Sequence, residues 1–205
     1  MDHNLKVHWE KVYETKTPQE VSWTQHKPQT SLDFIHQSGL DKSANMIDIG
    51  GGDSKLVDFL IEEGYDNITV LDISAKALER AQTRLGDKAA QVNWIVTDIT
   101  SFVPQQDFDI WHDRAAFHFL TTPEQIDIYV QLVKKHVRKF LSIGTFSTNG
   151  PEKCSGLYIK RYDETSLTKL FQPEFSVLNC KIEDHMTPFN TTQNFIFCAM
   201  ERNSQ

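Results

Sequence analysis

Two carboxylates and a run of glycines carry the most specific chemistry in this sequence. Met46-Ile47-Asp48-Ile49 is an apolar stretch holding one acid, and it runs straight into Gly50-Gly51-Gly52-Asp53-Ser54. The next apolar stretch, Ile68-Thr69-Val70-Leu71, closes on Asp72. Glycines let a ligand approach bare backbone and accept dihedral angles closed to other residues. An acid ending the second strand accepts hydrogen bonds from ribose hydroxyls. Strand, glycine turn, helix, strand, acid is the layout of a nucleoside-binding βαβ unit.

A third acid, Asp98, closes Val92-Asn93-Trp94-Ile95-Val96-Thr97. There it can accept from the exocyclic amine of a purine, with Ile73 and Ile99 on the two faces of the ring. The plainer reading of Asp72 and Asp98 is a helix cap or turn after a strand, and it stays open beside the functional one. Phosphate-binding patterns are absent from the turn. The dinucleotide fingerprint needs a third glycine where Lys55 stands, and no Gly-Lys-Ser/Thr closes a P-loop.

These residues need a frame, and the hydrophobic periods supply one. A helix is predicted over 55–63, with Leu56, Leu60 and Ile61 on one face and Gly64 as its stop. Ser74 caps a second helix through Leu85. Strands are expected over 92–98, 108–113 and 140–146. Thr122-Pro123-Glu124-Gln125 starts a helix that buries Ile126, Tyr129, Leu132, Val133 and Val137. Strands alternating with helices imply a parallel sheet covered on both faces. The last third reads as a helix over 163–171 and a hairpin of strands 175–182 and 192–200, so the last strand runs antiparallel. The polar first 30 residues, with Trp9, Tyr13 and Trp23, are expected to cover the carboxyl edge of the sheet.

Bulk properties bound the answer. The 205 residues suit one domain (1–205), read as a cover segment 1–30, a cofactor-binding core 41–146 and a C-terminal helix and hairpin 147–205. A net charge of −7 argues against broad attraction to nucleic acid or an anionic membrane. No stretch is long and apolar enough to suggest a membrane helix or secretion signal, and a cytoplasmic location is expected. Cys154, Cys180 and Cys198 are odd in number and form no Cys-x-x-Cys pair, so reduced thiols are expected. His3, His8, His26 and His36 are scattered, read as solvent-facing, and no metal site is expected.

Asp48-x-Gly50-x-Gly52-x-Ser54 resembles motif I of the class I S-adenosylmethionine-dependent methyltransferases, with serine in place of the third glycine. Val70-Leu71-Asp72-Ile73-Ser74 is similar to their second motif and Thr97-Asp98-Ile99 to their third. Phe108-Asp109-Ile110-Trp111-His112-Asp113-Arg114 stands where the fourth lines the reacting centre. The resemblance runs from about Asp41 onward. It implies a three-layer α/β sandwich around a mostly parallel seven-stranded sheet with an antiparallel C-terminal strand. It also implies S-adenosylmethionine as cofactor, held by Asp48, Gly50, Gly51, Gly52, Ser54, Asp72, Ile73, Asp98, Ile99 and His112.

A sulfonium methyl is already electrophilic, so the protein mainly orients the reactants and excludes water, with a base where the nucleophile must lose a proton. The candidate catalytic residues are Asp113, His118 and Arg114, with His112 a further candidate base. His118 reads either as a base or as a buried histidine among Phe117, Phe119 and Leu120. Asp113 reads as a base, as a partner of the cofactor's ammonium, or as a pin for Arg114. Arg114 and the similar Arg161 each pair with a substrate carboxylate or serve as scaffold. Fourth-motif Asn/Asp-Pro-Pro-Tyr/Phe is missing, which disfavours the amino nitrogens of adenine, cytosine or glutamine. The expected acceptor is a small molecule, with a protein lysine as the alternative. Trp9 and Trp23 either close over the cofactor, hold a cation, or anchor a helix. A nicotinamide-dependent oxidoreductase and a catalytically silent cofactor-binding module are the rivals. Oligomeric state is not legible.

Overall fold

The computed structural model describes residues 3–204. Two helices, α1 (His3–Thr15) and α2 (Gln29–Gln37), precede the first strand. Strands β1 (Met46–Ile49), β2 (Ile68–Asp72), β3 (Val92–Val96), β4 (Phe108–Arg114) and β5 (Val137–Phe146) then alternate with α3 (Leu56–Glu62), α4 (Ala75–Leu85) and α5 (Pro123–His136). A two-strand ribbon, β6 (Lys153–Cys154) and β7 (Leu157–Tyr158), leads to α6 (Glu164–Thr168) and a long hairpin, β8 (Phe175–Met186) and β9 (Thr192–Arg202).

The seven main strands lie in the order β3-β2-β1-β4-β5-β9-β8. The pairs from β3 through β5 are parallel, and β9 is antiparallel to both β5 and β8. This is the expected α/β sandwich. The order reverses between β1 and β4, and an open α/β sheet presents its ligand crevice outside the carboxyl ends of the strands at such a point.

Local chemistry explains the helix starts nearest that crevice. Ser74 accepts from the Ala77 N–H at 3.2 Å and caps α4. Thr122 and Gln125 form a reciprocal capping box on α5, with Pro123 in the first turn. One face of the sheet buries Trp111, Tyr129 and Phe171 under α5 and α6. The other buries Leu32, Ile35, Leu60 and Leu78 under α2, α3 and α4. Side chains alternate along β4, so Trp111 and Asp113 face α5 while Ile110, His112 and Arg114 face the α2 side.

Several boundaries differ from expectation: the third strand ends at Val96, the fifth begins at Val137, the helix predicted to reach 171 ends at Thr168, and the hairpin strands run on to Met186 and Arg202. The segment before β1 contains two helices. One correction concerns the cysteines. Cys180 and Cys198 face each other across β8 and β9 with Cα atoms 4.2 Å apart and are joined by a disulfide, leaving Cys154 free and buried. An odd cysteine count carries no information about which two residues a hairpin brings into register. No helix among the described residues is long and apolar enough to cross a membrane.

Candidate active site

At the end of β1 the chain turns sharply, and the turn tolerates no side chains. Gly50 and Gly52 have φ of +64° and +50°, the left-handed region that favours glycine. A Cβ on Gly51 would lie 2.6 Å from Asp48 Oδ2, and one on Gly52 would lie 2.8 Å from the Tyr13 hydroxyl. The Gly50 N–H donates to Leu71 O at 2.7 Å, tying the turn to β2. From α4, Arg84 reaches back to the carbonyls of Asp53 and Ser54 at 2.9 and 2.8 Å while pairing with Asp58. Arg80 pairs with Asp53 at 3.5 Å. These two arginines, one helical turn apart, are clamps that sequence reasoning missed; their i, i+4 spacing was the available signal.

Two adjoining cavities open at the carboxyl ends of β1, β2 and β4. The more polar one is bounded by Asp48, Gly50, Gly51, Ser54, Lys55 and His112. The apolar one runs past Asp72, Ile73, Asp98 and Ile99 to Ala116 and Phe119. Tyr13, Trp23, Gly50 and Arg114 border both. All ten residues predicted to hold the cofactor are therefore at this site except Gly52, which sits in its turn under Tyr13.

A turn free of side chains, two acids at successive strand ends and an apolar cavity lined by Ile73 and Ile99 fit a nucleoside that carries an amino acid instead of phosphates. The Asp72 carboxyl accepts from Ser74 N–H at 2.8 Å. Burial lifts it to about 7, and the negative charges of Asp53 and Asp48 push the same way. Asp98 spends Oδ1 on the N–H and hydroxyl of Thr100, at 2.9 and 2.7 Å.

The roof is aromatic. Trp9 packs edge-on against Trp23 at 5.7 Å and Phe119 at 5.0 Å. Trp9, Val12 and Tyr13 also pack α1 onto Ala77 of α4. The two tryptophans thus both anchor the cover and line the cavity. Glu10 fixes the cover electrostatically: its carboxylate accepts from Ser74 Oγ and the N–H of Ala75 at 2.9 Å each, and from the Lys76 N–H at 3.1 Å.

The structure corrects the catalytic candidates. Asp113 faces α5, away from both cavities, where it accepts from the Tyr129 hydroxyl at 2.8 Å and from the N–H groups of Ala116 and Phe117 at 3.1 Å. Burial lifts it to about 6. It shapes the turn after β4 and touches neither cavity. That turn includes Ala115 at φ +68°, a strained position for a residue with a Cβ. His118 is fully buried, stacked on Phe146 at 4.6 Å, and neither ring nitrogen has a partner. Burial, with Arg114 nearby, pushes it down to about 3, so it is a poor base.

His112 borders the polar cavity, but its Nδ1 is 2.7 Å from Asp48 Oδ1 and its Nε2 2.8 Å from Ser31 Oγ. Both ring nitrogens are occupied, and the pair fastens β4 to β1 and α2. Arg161 is scaffold, donating to the carbonyls of Thr148 and Gly150 and pairing with Glu152. His26 and His36 are exposed; His8, expected in solvent, is half-buried against Trp9, and the side chain of His3 lies outside the described residues. No cluster of three or more His, Cys, Asp or Glu among the described residues could hold a metal ion.

Fold and site together define an α/β protein that binds a nucleoside-type cofactor lacking phosphates. Residues 46–139 match a family described as the methyltransferase domain. A 121-residue stretch is 27% identical to malonyl-[acyl-carrier protein] O-methyltransferase 1 of Ilyobacter polytropus, covering 57% of this chain and 41% of that protein. The chain thus spans less than half the length of this curated relative. A methyltransferase structure from Anabaena variabilis superimposes with a TM-score of 0.75 at 17% identity, covering 98% of this chain and 96% of that one. A Burkholderia thailandensis 1,6-didemethyltoxoflavin-N1-methyltransferase, solved with its acceptor and S-adenosylhomocysteine, gives 0.71 at 14% identity over 98% and 88%. At such identities the likeness is one of fold. Over residues 46–139 the chain matches the methyltransferase-domain family, and its fold is the one the S-adenosylmethionine-dependent methyltransferases share.

Proposed function

We propose that this protein transfers the methyl group of S-adenosylmethionine to a nucleophile on a small-molecule acceptor. The observation that carries the reading is the two-part cavity: a polar glycine-lined end and an acid-flanked apolar slot meet beneath an aromatic roof. When bound, the cofactor supplies an electrophilic methyl group. Asp72 would accept from its ribose hydroxyls, Asp98 would meet its adenine amine, and Ile73 and Ile99 would hold the ring. Gly50, Gly51, Ser54 and Lys55 border the place for the methionine moiety.

The acceptor's nucleophile brings its own lone pair in this reading. Asp113 faces away, His118 is sealed off, His112 has both nitrogens engaged, and burial pushes the Cys154 thiol up to about 12. Trp9, Trp23 and Phe119 exclude water and stack a flat or chain-like acceptor, which favours a small molecule over a folded protein. Both relatives named for their acceptors act on small or carrier-bound groups, malonyl-[acyl-carrier protein] and 1,6-didemethyltoxoflavin. A protein lysine is the second reading, because an aromatic pair is also a seat for a cation.

The test uses methyl-labelled cofactor with host lysate separated into protein and metabolite fractions. Label in the metabolite fraction is expected. Label confined to protein reverses the order of the two readings, and no label in either fraction supports a silent module.

A further inference from the structure

Arg114 is a half-buried cation whose hydrogen-bonding capacity is mostly unspent. It stands at the end of β4 and borders both cavities. Nη1 donates to the carbonyl of Trp23 at 3.1 Å, but Nε and Nη2 are buried without any partner. No carboxylate pairs with it among the described residues. The two acids whose charge reaches it are engaged elsewhere, Glu183 by Thr30 and Lys181 and Asp48 by His112. The Phe195 ring lies 5.2 Å from the guanidinium carbon.

The unspent donors are informative as a pair. Nε–H and one Nη2–H form a single edge of the guanidinium plane, the edge that matches the two oxygens of a carboxylate. Leaving that edge dry is costly, since a buried charge without a partner loses its hydration and gains nothing in exchange. An anion delivered by a ligand would remove the penalty.

The side of the sheet decides whose anion it is. The cofactor acids, Asp98 and Asp72, lie at β3 and β2, and the glycine turn follows β1. Arg114 sits on the other side of the switch point, against Phe195 of β9 and within the electrostatic reach of Glu183 on β8. On the strength of the methyl-transfer reading above, we infer that the free edge of Arg114 receives a carboxylate on the methyl acceptor. That carboxylate is a handle. Methylating it would erase the charge Arg114 reads, weakening the contact as the transition state forms. The accepting atom is therefore a different one on the same molecule, within the apolar cavity beside Trp9 and Phe119.

The proposal is tested with phenylacetate and its neutral isostere phenylacetamide, titrated calorimetrically into the protein with and without saturating S-adenosylhomocysteine. Phenylacetate is expected to bind the wild type about tenfold or more tightly than the amide. Arg114→Gln is expected to erase that preference while keeping S-adenosylhomocysteine affinity within about twofold. Equal binding of the two probes, or binding of neither, overturns the assignment. So does an Arg114→Gln variant that loses as much affinity for S-adenosylhomocysteine as for phenylacetate, which would give Arg114 to the cofactor's own carboxylate. If that variant does not fold, the wild-type preference decides alone. Failure of the methyltransferase reading shows separately, as absent S-adenosylhomocysteine binding with the preference for phenylacetate intact.

Discussion

Asp72 is pulled in two directions by its surroundings. The Ser74 N–H donates to its carboxylate, yet burial lifts the group from its ordinary 3.8 to about 7. Between those values the folded protein holds a proton that the unfolded chain has lost. The contribution of Asp72 to stability therefore falls as pH rises from about 4 to 7, and it levels off above. On the proposed reading ligand binding runs the other way, because ribose hydroxyls would donate to the ionised form. The affinity for S-adenosylhomocysteine is expected to climb from pH 6 to pH 8. Asp72→Asn should flatten that climb and weaken binding at pH 8 by about 1–3 kcal/mol, the value of hydrogen bonds to a charged group. It should not lower the melting temperature of the free protein at pH 8. Calorimetry at both pH values reads the first effect; an unchanged affinity at pH 8 removes Asp72 from the ribose.

Elements differ in how much of their role is written locally. The Ser74 cap of α4 and the Thr122–Gln125 box of α5 are four-residue signals, and both form as the sequence implies. The acids after β2 and β3 are equally local, and both reach the cavity. β4 is the opposite case. It is buried along most of its length and sets His112, Asp113 and Arg114 side by side, so no alternation of polar and apolar residues shows which of them faces the cofactor side. That choice depends on α2 and α5, and it turns Asp113 away from both cavities, while His118 is buried in the turn beyond the strand. Contacts across long stretches of chain were likewise invisible: His112 with Asp48, Cys180 with Cys198, and Glu10 with the start of α4. Glu10 carries an element-scale prediction. Burial alone would raise its carboxyl, but the N–H groups of Lys76 and Ala75 and the Ser74 hydroxyl hold it below its ordinary 4.5. Its contribution is present above that pH and fades as pH falls through the lowered value. Glu10→Ala should cost about 1 kcal/mol, as loss of a cap does, and should loosen α1 from α4. Limited trypsin digestion should then cut at Lys11 and Lys16 faster than in the wild type. Equal cleavage rates would mean that the tryptophans alone hold the cover.

At the scale of the whole molecule, the ligand site is where three separately packed parts meet. The strand ends belong to the two cores on either face of the sheet, and the roof belongs to a third cluster built on α1. A cofactor in the cavity would touch all three, so its binding energy should appear as global stability. Ligand at a hundred times its dissociation constant stabilises the folded state by about 2.7 kcal/mol. For a chain of this size each kcal/mol moves the midpoint by about 2–4 °C. Saturating S-adenosylhomocysteine is therefore expected to raise the melting temperature by about 5–10 °C. NAD should leave it unchanged, because Lys55 occupies the place of the third glycine that a pyrophosphate turn requires. The same ligand should slow trypsin at Lys11 and Lys16, since Tyr13 and Trp9 of the roof line the cavity it would fill. A shift with NAD and none with S-adenosylhomocysteine would return the glycine turn to the dinucleotide-binding class. A shift without slower cleavage would mean that the cofactor is held by the sheet alone, with the roof serving only the acceptor.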